Sequence, residues 1–322
     1  MKKRILAILL TLAMAGTLVA CGGSDKNKEP EKKQETKETE KKENEVEATA
    51  LPITIDFEKY TAEIVGAKSY QDTENEAEGI RVYYKFTNHA ENSVSPSSVW
   101  ISGTQSGTEL DEGWGGPEIY KPADGMINCN VRPEVSLLTA KMFACELDKG
   151  AVEFTVTNYD GAVEETIILD PENLPGAPEQ EELFAPVADP KWTDGLSNEG
   201  DLSGAHVVID GFELAASAES NSESKYVRIF YTVTNTGAEA KSLSFLTSGM
   251  GIYQDGVGLP VSYYTDYENV ETDDVYRKND LEPGAAVKCS NVYTLRSDNP
   301  IEVEGVMDSY SPATFGCRFD LQ

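Results

Sequence analysis

The stretch that decides the fold is Arg81–Asn88, Arg-Val-Tyr-Tyr-Lys-Phe-Thr-Asn, because the chain repeats it as Arg228–Asn235, Arg-Ile-Phe-Tyr-Thr-Val-Thr-Asn. In each copy apolar side chains alternate with outward-facing ones, which is the period of a half-buried β-strand. β-Branched and aromatic residues favour strands, and the closing Asn is a residue type that tolerates the left-handed conformation of turns. The duplicated strand predicts two copies of one all-β domain.

The two halves match beyond this strand. Ile64–Gly66 precedes the first copy as Ile209–Gly211 precedes the second, and Val131–Pro133 follows the first copy as Leu281–Pro283 follows the second. Gly, Pro, Asn and Asp divide each half into short segments, a spacing typical of two packed antiparallel sheets. We therefore predict an all-β protein with two tandem immunoglobulin-like antiparallel β-sandwich domains after a disordered tether.

Composition predicts the domain boundaries. We place the first sandwich at residues 51–170 and the second at residues 204–322. Residues 171–203 are rich in Pro, Glu, Asp and Gly and show no sustained period, which predicts a linker. A long linker is expected to permit relative motion of the two domains.

The N-terminus has the features of an export signal. Residues 1–20 contain three basic residues, an apolar run that is short for a membrane span, and then small residues. The run ends at Leu18–Cys21, Leu-Val-Ala-Cys, which resembles the bacterial lipobox. That resemblance implies cleavage before Cys21, attachment of diacylglycerol to its thiol, and a location on the extracytoplasmic face of the cell membrane. The alternative is an ordinary signal peptide with an unmodified Cys21.

Residues 21–50 are dominated by Lys and Glu behind this cysteine. A segment with so few apolar residues buries too little surface to offset the entropy lost on ordering. We predict a disordered charged tether. A single charged helix is the alternative, which Pro30 and the missing apolar stripe disfavour.

Two strand motifs support a family resemblance. Tyr83–Asn88 (YYKFTN) and Ile229–Asn235 (IFYTVTN) are each followed by a polar turn and later by an apolar strand that starts at a proline. This pattern resembles a family of uncharacterised immunoglobulin-like domains found in lipoproteins and secreted proteins of Gram-positive bacteria. The resemblance covers both predicted sandwiches and implies a sandwich fold, a surface location and no known enzymatic activity. The first half has Pro133-Glu134 where the second has Pro283-Gly284, which leaves the pairing of the following strand open.

The charge balance bears on the choice of partner. The chain has 27 Lys and Arg against 56 Asp and Glu, a formal charge of -29. Nucleic acid is excluded as a predicted partner, since phosphate binding needs basic patches. The charge favours cationic ligands, divalent metals or basic proteins. The acidic stretch Asp266–Asp274 offers oxygen ligands to calcium but lacks the EF-hand spacing, so we interpret it as a solvated loop.

Four cysteines fall within the predicted domains: Cys129, Cys145, Cys289 and Cys317. Their positions do not correspond between the repeats, which argues against a shared ancestral disulfide. Independent disulfides are one interpretation for an exported protein. Buried free thiols are the favoured interpretation.

Aromatic residues are the most suggestive group for binding. Trp100 and Trp114 flank Gly103–Gly107, a predicted loop, and Tyr253 falls in the corresponding part of the second half. Exposed aromatic rings near carboxylates commonly stack on sugars or grip peptides, and packing in a core is the alternative. The candidate ligand-binding residues are tryptophans and tyrosines of the predicted loops: Trp100, Trp114, Tyr263, Tyr264 and Tyr267.

The sequence favours binding over catalysis. It contains only two histidines and no Cys-x-x-Cys, HExxH or Gly-rich phosphate loop, and no spacing assembles a pair of carboxylates. We therefore predict no enzyme, no metal and no cofactor. We expect non-catalytic binding of an extracellular protein, peptide or glycan by the sandwich loops. The alternatives are a structural spacer that stabilises the envelope without a specific ligand and, less favoured because helical periodicity is nearly absent, a solute-capture subunit.

Overall fold

The structure is a computed structural model and describes residues 47–73, 76–113, 126–159, 161–178, 195–217, 225–262, 280–307 and 312–321. In these ranges the chain is built almost wholly of antiparallel strands, which confirms the predicted all-β sandwich fold. Residues 21–46 of the predicted tether, Cys21 among them, lie outside the described residues. The end of the predicted tether is described and joins the first repeat, because Thr49 exchanges two hydrogen bonds with the backbone of Ile168. Both repeats belong to one compact unit, Val46–Gln322.

The strands of the first repeat are β1 (Ile53–Asp56), β2 (Tyr60–Asp72), β3 (Ala77–Asn88), β4 (Val99–Gln105), β5 (Thr108–Glu109), β6 (Ser136–Ala144), β7 (Val152–Asn158) and β8 (Glu164–Leu169). Short 3-10 helices at Pro96–Ser98 and Met126–Asn128 connect them. One sheet has the order β1-β2-β3-β6 and the other β5-β4-β7-β8. The strand β5 is therefore an edge strand.

The strands of the second repeat are β9 (Glu199–Leu202), β10 (Ala205–Ala215), β11 (Tyr226–Asn235), β12 (Lys241–Ser242), β13 (Met250–Gln254), β14 (Val257–Gly258), β15 (Asp280–Leu281), β16 (Ala286–Thr294), β17 (Ile301–Gly305) and β18 (Phe315–Phe319), with one helix, α1 (Leu243–Leu246). The main sheets have the orders β16-β11-β10-β9 and β14-β13-β17-β18, and β12 pairs with β15. The strand β9 pairs with β10, so the end of the predicted linker interval joins the second sandwich.

The duplication extends to a β-bulge in one strand of each repeat. The β2–β3 register shifts between Ile64 and Gly66, and the β10–β11 register shifts between Ile209 and Gly211. Both bulges precede the duplicated strand, which lies inside its sheet in each repeat. A β-bulge bends and twists a strand, so the two sandwiches share their curvature as well as their strand order.

Each repeat has its own apolar core between its two sheets. Tyr84, Phe86 and Phe154 are fully buried in the first core, and Tyr231 and Phe315 in the second. The predicted alternation places Tyr84, Phe86 and Tyr231 inward, but β3 is buried on both faces along most of its length, where the alternation predicts a half-buried strand. One residue departs from this division: Val257 of β14, in the second repeat, is buried in the core of the first.

The turn before β6 settles the strand pairing that the Pro133-Glu134 difference left open. Glu134 has φ 61° and Gly284 has φ 78°, so both repeats make the same left-handed turn. The Glu134 N–H donates to Asn88 O at 2.7 Å, as the Gly284 N–H donates to Asn235 O at 2.8 Å. The strand β6 then pairs with β3 as β16 pairs with β11.

Candidate functional site

The second repeat contacts the first through the β13–β14 hairpin. Asp255 and Gly256 have φ 55° and 76°, as a tight hairpin turn requires. The backbone N–H of Arg132 donates to Gly256 O at 2.9 Å, and the backbone N–H of Gly258 donates to Asn130 O at 2.8 Å. The edge of β14 is therefore extended by a short segment of the first repeat, in the manner of β-strand addition.

A buried ion cluster lies beside this backbone pairing. The Arg132 guanidinium contacts the Glu302 carboxylate at 2.9 Å and the Glu304 carboxylate at 2.6 Å, and it lies 4.4 Å from the ring centroid of Tyr253. The side chains of the ion pairs are no more than 11% exposed. Burial raises the pKa of both Glu302 and Glu304, and the positive charge of Arg132 opposes this shift. Arg132 belongs to the first repeat and the two glutamates belong to the second, so these ion pairs hold the repeats together.

Within the part of the chain that the structure describes, the corresponding edge of the first repeat has no backbone partner. Ser106 and Gly107 have φ 52° and 79° and make the same hairpin turn between β4 and β5. Thr108 and Glu109 of β5 are exposed, whereas Val257, the counterpart of Thr108, is fully buried.

A cleft of about 620 Å³ lies at this end. Glu76, Glu78, Glu146 and Lys149 line it together with the hairpin, so most of its charged groups are acidic. Lys149 forms an ion pair with Glu146 at 3.3 Å. The cleft therefore favours a cationic ligand over an anionic one.

An exposed aromatic pair lies on the outer face of the same sheet. Trp100 of β4 is 53% exposed and Tyr159, just after β7, is 80% exposed. Their ring centroids are 5.7 Å apart at an interplanar angle of 89°, an edge-to-face contact. Among the aromatic pairs of the described residues, this is the one in which both rings are exposed. Ser102 and Thr104 are exposed on the same face of β4 as Trp100, so a row of hydroxyl groups leads from the aromatic pair towards β5.

Two aromatic predictions need correction. Trp100 lies on strand β4 and not in a loop. The predicted loop Gly103–Gly107 is mostly strand as well, and the chain turns only at its last two residues. Tyr253 lies on strand β13 and is 4% exposed, because the first repeat covers it. Tyr159 was missed by sequence reasoning, since its contact with Trp100 depends on the β4–β7 register.

The other candidate aromatic residues fall outside the described residues: Trp114, Tyr263, Tyr264 and Tyr267. The acidic stretch Asp266–Asp274 also lies outside them. Gly113, which precedes Trp114, donates its N–H to Met142 O at 2.8 Å and lies against the Tyr70 hydroxyl. Tyr70 also lines the cleft, so Gly113 lies beside it.

The four described cysteines are free thiols. Burial raises the pKa of Cys145 and of Cys317 to about 11, and it raises the pKa of Cys129. These thiols stay protonated at neutral pH and are poor nucleophiles.

The described residues contain no group of three or more His, Cys, Asp or Glu placed to hold a metal ion. They also contain no helix with the length and hydropathy needed to cross a membrane.

Comparison with known proteins places the chain. The family model described as Domain of unknown function (DUF5067) matches residues 26–158 and 188–307. The chain belongs to this family. The tandem match confirms the resemblance inferred from the duplicated strands.

Comparison with individual proteins identifies a similar solved structure. A solved structure of a candidate lipoprotein from Staphylococcus aureus subsp. aureus NCTC 8325 is similar to 38% of this chain and 94% of its own, with 14% sequence identity and a TM-score of 0.32. No curated protein matches the chain.

Proposed function

We propose that this DUF5067 protein is anchored to the bacterial cell membrane through a lipid on Cys21 and binds an extracellular protein, peptide or glycan without catalysis. The observation that carries the proposal is the exposed pair of Trp100 and Tyr159 on the first repeat. The lipobox resemblance at Leu18–Cys21 supports the location.

The aromatic pair suits recognition for a physical reason. Two large rings held edge to face have their orientations fixed before a ligand arrives, so little side-chain entropy is lost on binding. Trp and Tyr are also enriched among the hot spots of known interfaces. The neighbouring hydroxyls of Ser102 and Thr104 add hydrogen-bonding groups to the same face.

A spacer role is the second candidate, and the Arg132 cluster favours it. The buried contact of Arg132 with Glu302 and Glu304 joins the repeats without any ligand. A protein that only holds a fixed distance from the membrane needs such a contact and needs no exposed aromatic pair.

Crosslinking of the native, lipidated protein on intact cells separates the two roles. We expect one dominant captured partner, which is lost in the Trp100→Ala and Tyr159→Ala variants. The matched control is Phe245→Ala, because Phe245 is 51% exposed but lies on the second repeat. A catch that follows only protein abundance and is the same in all variants would leave the spacer role and reject the binding role.

A further inference from the structure

We propose that the outer edge of β5, Thr108–Glu109, is a strand-addition site that takes an extended basic segment of a partner protein. This inference rests on the proposed binding function and names the partner class and the mode of recognition. It is carried by the second repeat, in which the equivalent edge is already occupied.

The second repeat shows how the edge is used. The edge of β14 accepts one backbone hydrogen bond at Gly256 O and donates one from the Gly258 N–H. The segment that it takes is 130–132 of the first repeat, in which Arg132 supplies a buried positive charge. Backbone pairing provides affinity in strand addition, and flanking side chains provide specificity.

The first repeat has the same edge geometry. The Leu110 N–H donates inward to Gly103 O at 2.8 Å, as the Leu259 N–H donates to Ile252 O at 2.8 Å. Successive N–H groups of a strand point in opposite directions, so the Glu109 N–H points outward, as the Gly258 N–H does. The carbonyl of Gly107 corresponds to that of Gly256.

The hairpin that presents this edge is fixed internally. The Gln105 side-chain amide donates to Glu146 O at 2.8 Å and to Gly150 O at 3.1 Å. The Gln254 amide makes the equivalent bonds to Ser297 O at 3.0 Å and Asn299 O at 2.8 Å. Both edges are therefore set before a guest segment binds, which lowers the entropy cost of binding.

Charge selects a basic guest. Glu109 lies on the edge itself, and Glu76 and Glu78 line the cleft beside it. Glu153 of β7 occupies the position that Glu302 has in the second repeat, as the strand registers show. An extended segment with Lys or Arg complements these carboxylates, as Arg132 complements those of the second repeat.

The same comparison argues against a second copy of this chain as the guest. The segment equivalent to 130–132 in the second repeat is Asp280–Glu282, which has Glu282 in the place of Arg132. Two acidic segments repel each other, so head-to-tail pairing of copies is disfavoured.

The binding is expected to be weaker than the contact inside the chain. Thr155 replaces Glu304 and Thr104 replaces Tyr253, so a guest cation in the place that Arg132 has in the second repeat meets the carboxylate of Glu153 and two hydroxyls instead of two carboxylates and a ring. The pairing is also intermolecular, without the high effective concentration that linked repeats have. Reversible binding of a partner follows from this difference.

A peptide titration tests the proposal with the full lipidated chain in neutral detergent. The probe is the amidated heptapeptide Thr-Val-Thr-Arg-Thr-Val-Lys with fluorescein on its N-terminus, followed by fluorescence anisotropy. One control peptide has Glu in place of Arg and Lys, and a second is N-methylated at alternate residues, which removes the backbone donors and keeps the charge. We expect saturable, salt-dependent binding of the first peptide only.

Two variants of one residue separate backbone pairing from charge. Glu109→Pro removes the outward N–H at an edge position that tolerates proline, and Glu109→Gln keeps the N–H but removes the charge. We expect about tenfold weaker binding with Glu109→Pro and about two- to threefold weaker binding with Glu109→Gln. Equal binding of the N-methylated peptide, or equal affinity of the wild type and Glu109→Pro, would overturn the proposal, as would the absence of saturable binding.

Failure of this inference is distinguishable from failure of the proposed function. If Trp100→Ala loses the partner captured on cells and Glu109→Pro retains it, the edge is not the site and the binding function stands. If the wild type captures no dominant partner, the binding function itself fails.

Discussion

Asn88 and Asn235 fix the same turn in both repeats by the same three hydrogen bonds. The Asn88 amide donates to Asn92 O and Val131 O, both at 2.8 Å, and its carbonyl accepts from the Ala90 N–H at 2.9 Å. Asn235 makes the equivalent bonds to Glu239, Leu281 and Gly237. Both asparagines are fully buried, and neither has positive φ. The sequence pattern located the turn, but its reason was wrong, since the amide group and not a left-handed backbone is what the turn uses.

Glu134 carries a backbone strain that its counterpart Gly284 avoids. A side chain at φ 61° costs about 1–2 kcal/mol, and glycine recovers part of this at the expense of a more flexible unfolded chain. We predict that Glu134→Gly raises the free energy of unfolding by about 0.5–1 kcal/mol. Urea denaturation measures the change.

The reciprocal variant is the control for this prediction. Gly284→Ala is expected to lower the free energy of unfolding by about 1–2 kcal/mol at the same turn of the second repeat. A destabilised Glu134→Gly protein would show that contacts of the glutamate side chain outweigh the backbone strain.

At the scale of single elements, β17 places two carboxylates where water is excluded. Glu302 and Glu304 are outward-facing residues on the strand, but the first repeat covers them. Burial raises the pKa of each above the ordinary value of 4.5 despite the attraction of Arg132. The folded protein therefore binds protons at these groups more tightly than the unfolded chain does.

The pH dependence of stability follows from this direction. The contribution of a raised folded-state pKa is fully present below the unfolded value near 4.5 and is lost as the pH rises through the folded value. We predict that the free energy of unfolding falls between pH 4.5 and neutral pH, and falls less steeply in a Glu302→Gln, Glu304→Gln double variant. Urea denaturation across this range measures the slope.

The matched control for β17 is its counterpart β7. Glu153 is exposed where Glu302 is buried, so Glu153→Gln should leave the slope unchanged. A slope in the double variant as steep as that of the wild type would refute the assignment of this pH dependence to β17.

Local sequence patterns predicted the strands but not the contacts between the repeats. The alternation in Arg81–Asn88 was enough to predict β3, and its copy predicted β11. The burial of Tyr253 was not predictable, because the outer face of a strand appears solvent-exposed until a second domain covers it. The pairing of Arg132 with Glu304 spans 172 residues, and no local spacing encodes it.

At the scale of the whole molecule, Arg132 lies at the centre of the contact between the two repeats. A long linker is expected to permit domain motion, but the described residues include a backbone pairing and a buried ion cluster between the sandwiches. Removing one partner of a buried ion cluster leaves the others desolvated and unpaired.

We predict that Arg132→Ala lowers the free energy of unfolding by about 3–5 kcal/mol or separates one unfolding transition into two. Small-angle X-ray scattering should show a broader distribution of interatomic distances, since the repeats then move independently. Adding Glu302→Gln and Glu304→Gln should restore part of the lost stability. A scattering curve and denaturation midpoint identical to those of the wild type would contradict the role given to Arg132.

The central claim is that the first repeat presents a binding face for a partner. The equivalent face of the second repeat is already occupied by the contact that holds the two repeats together. Site-specific photo-crosslinking on intact cells tests this claim most directly, with p-benzoylphenylalanine in place of Thr104, between Trp100 and β5, or in place of the exposed Phe245. The account predicts one dominant crosslinked partner from position 104, lost with Trp100→Ala, and none from position 245. The same diffuse set of products from both positions would contradict it.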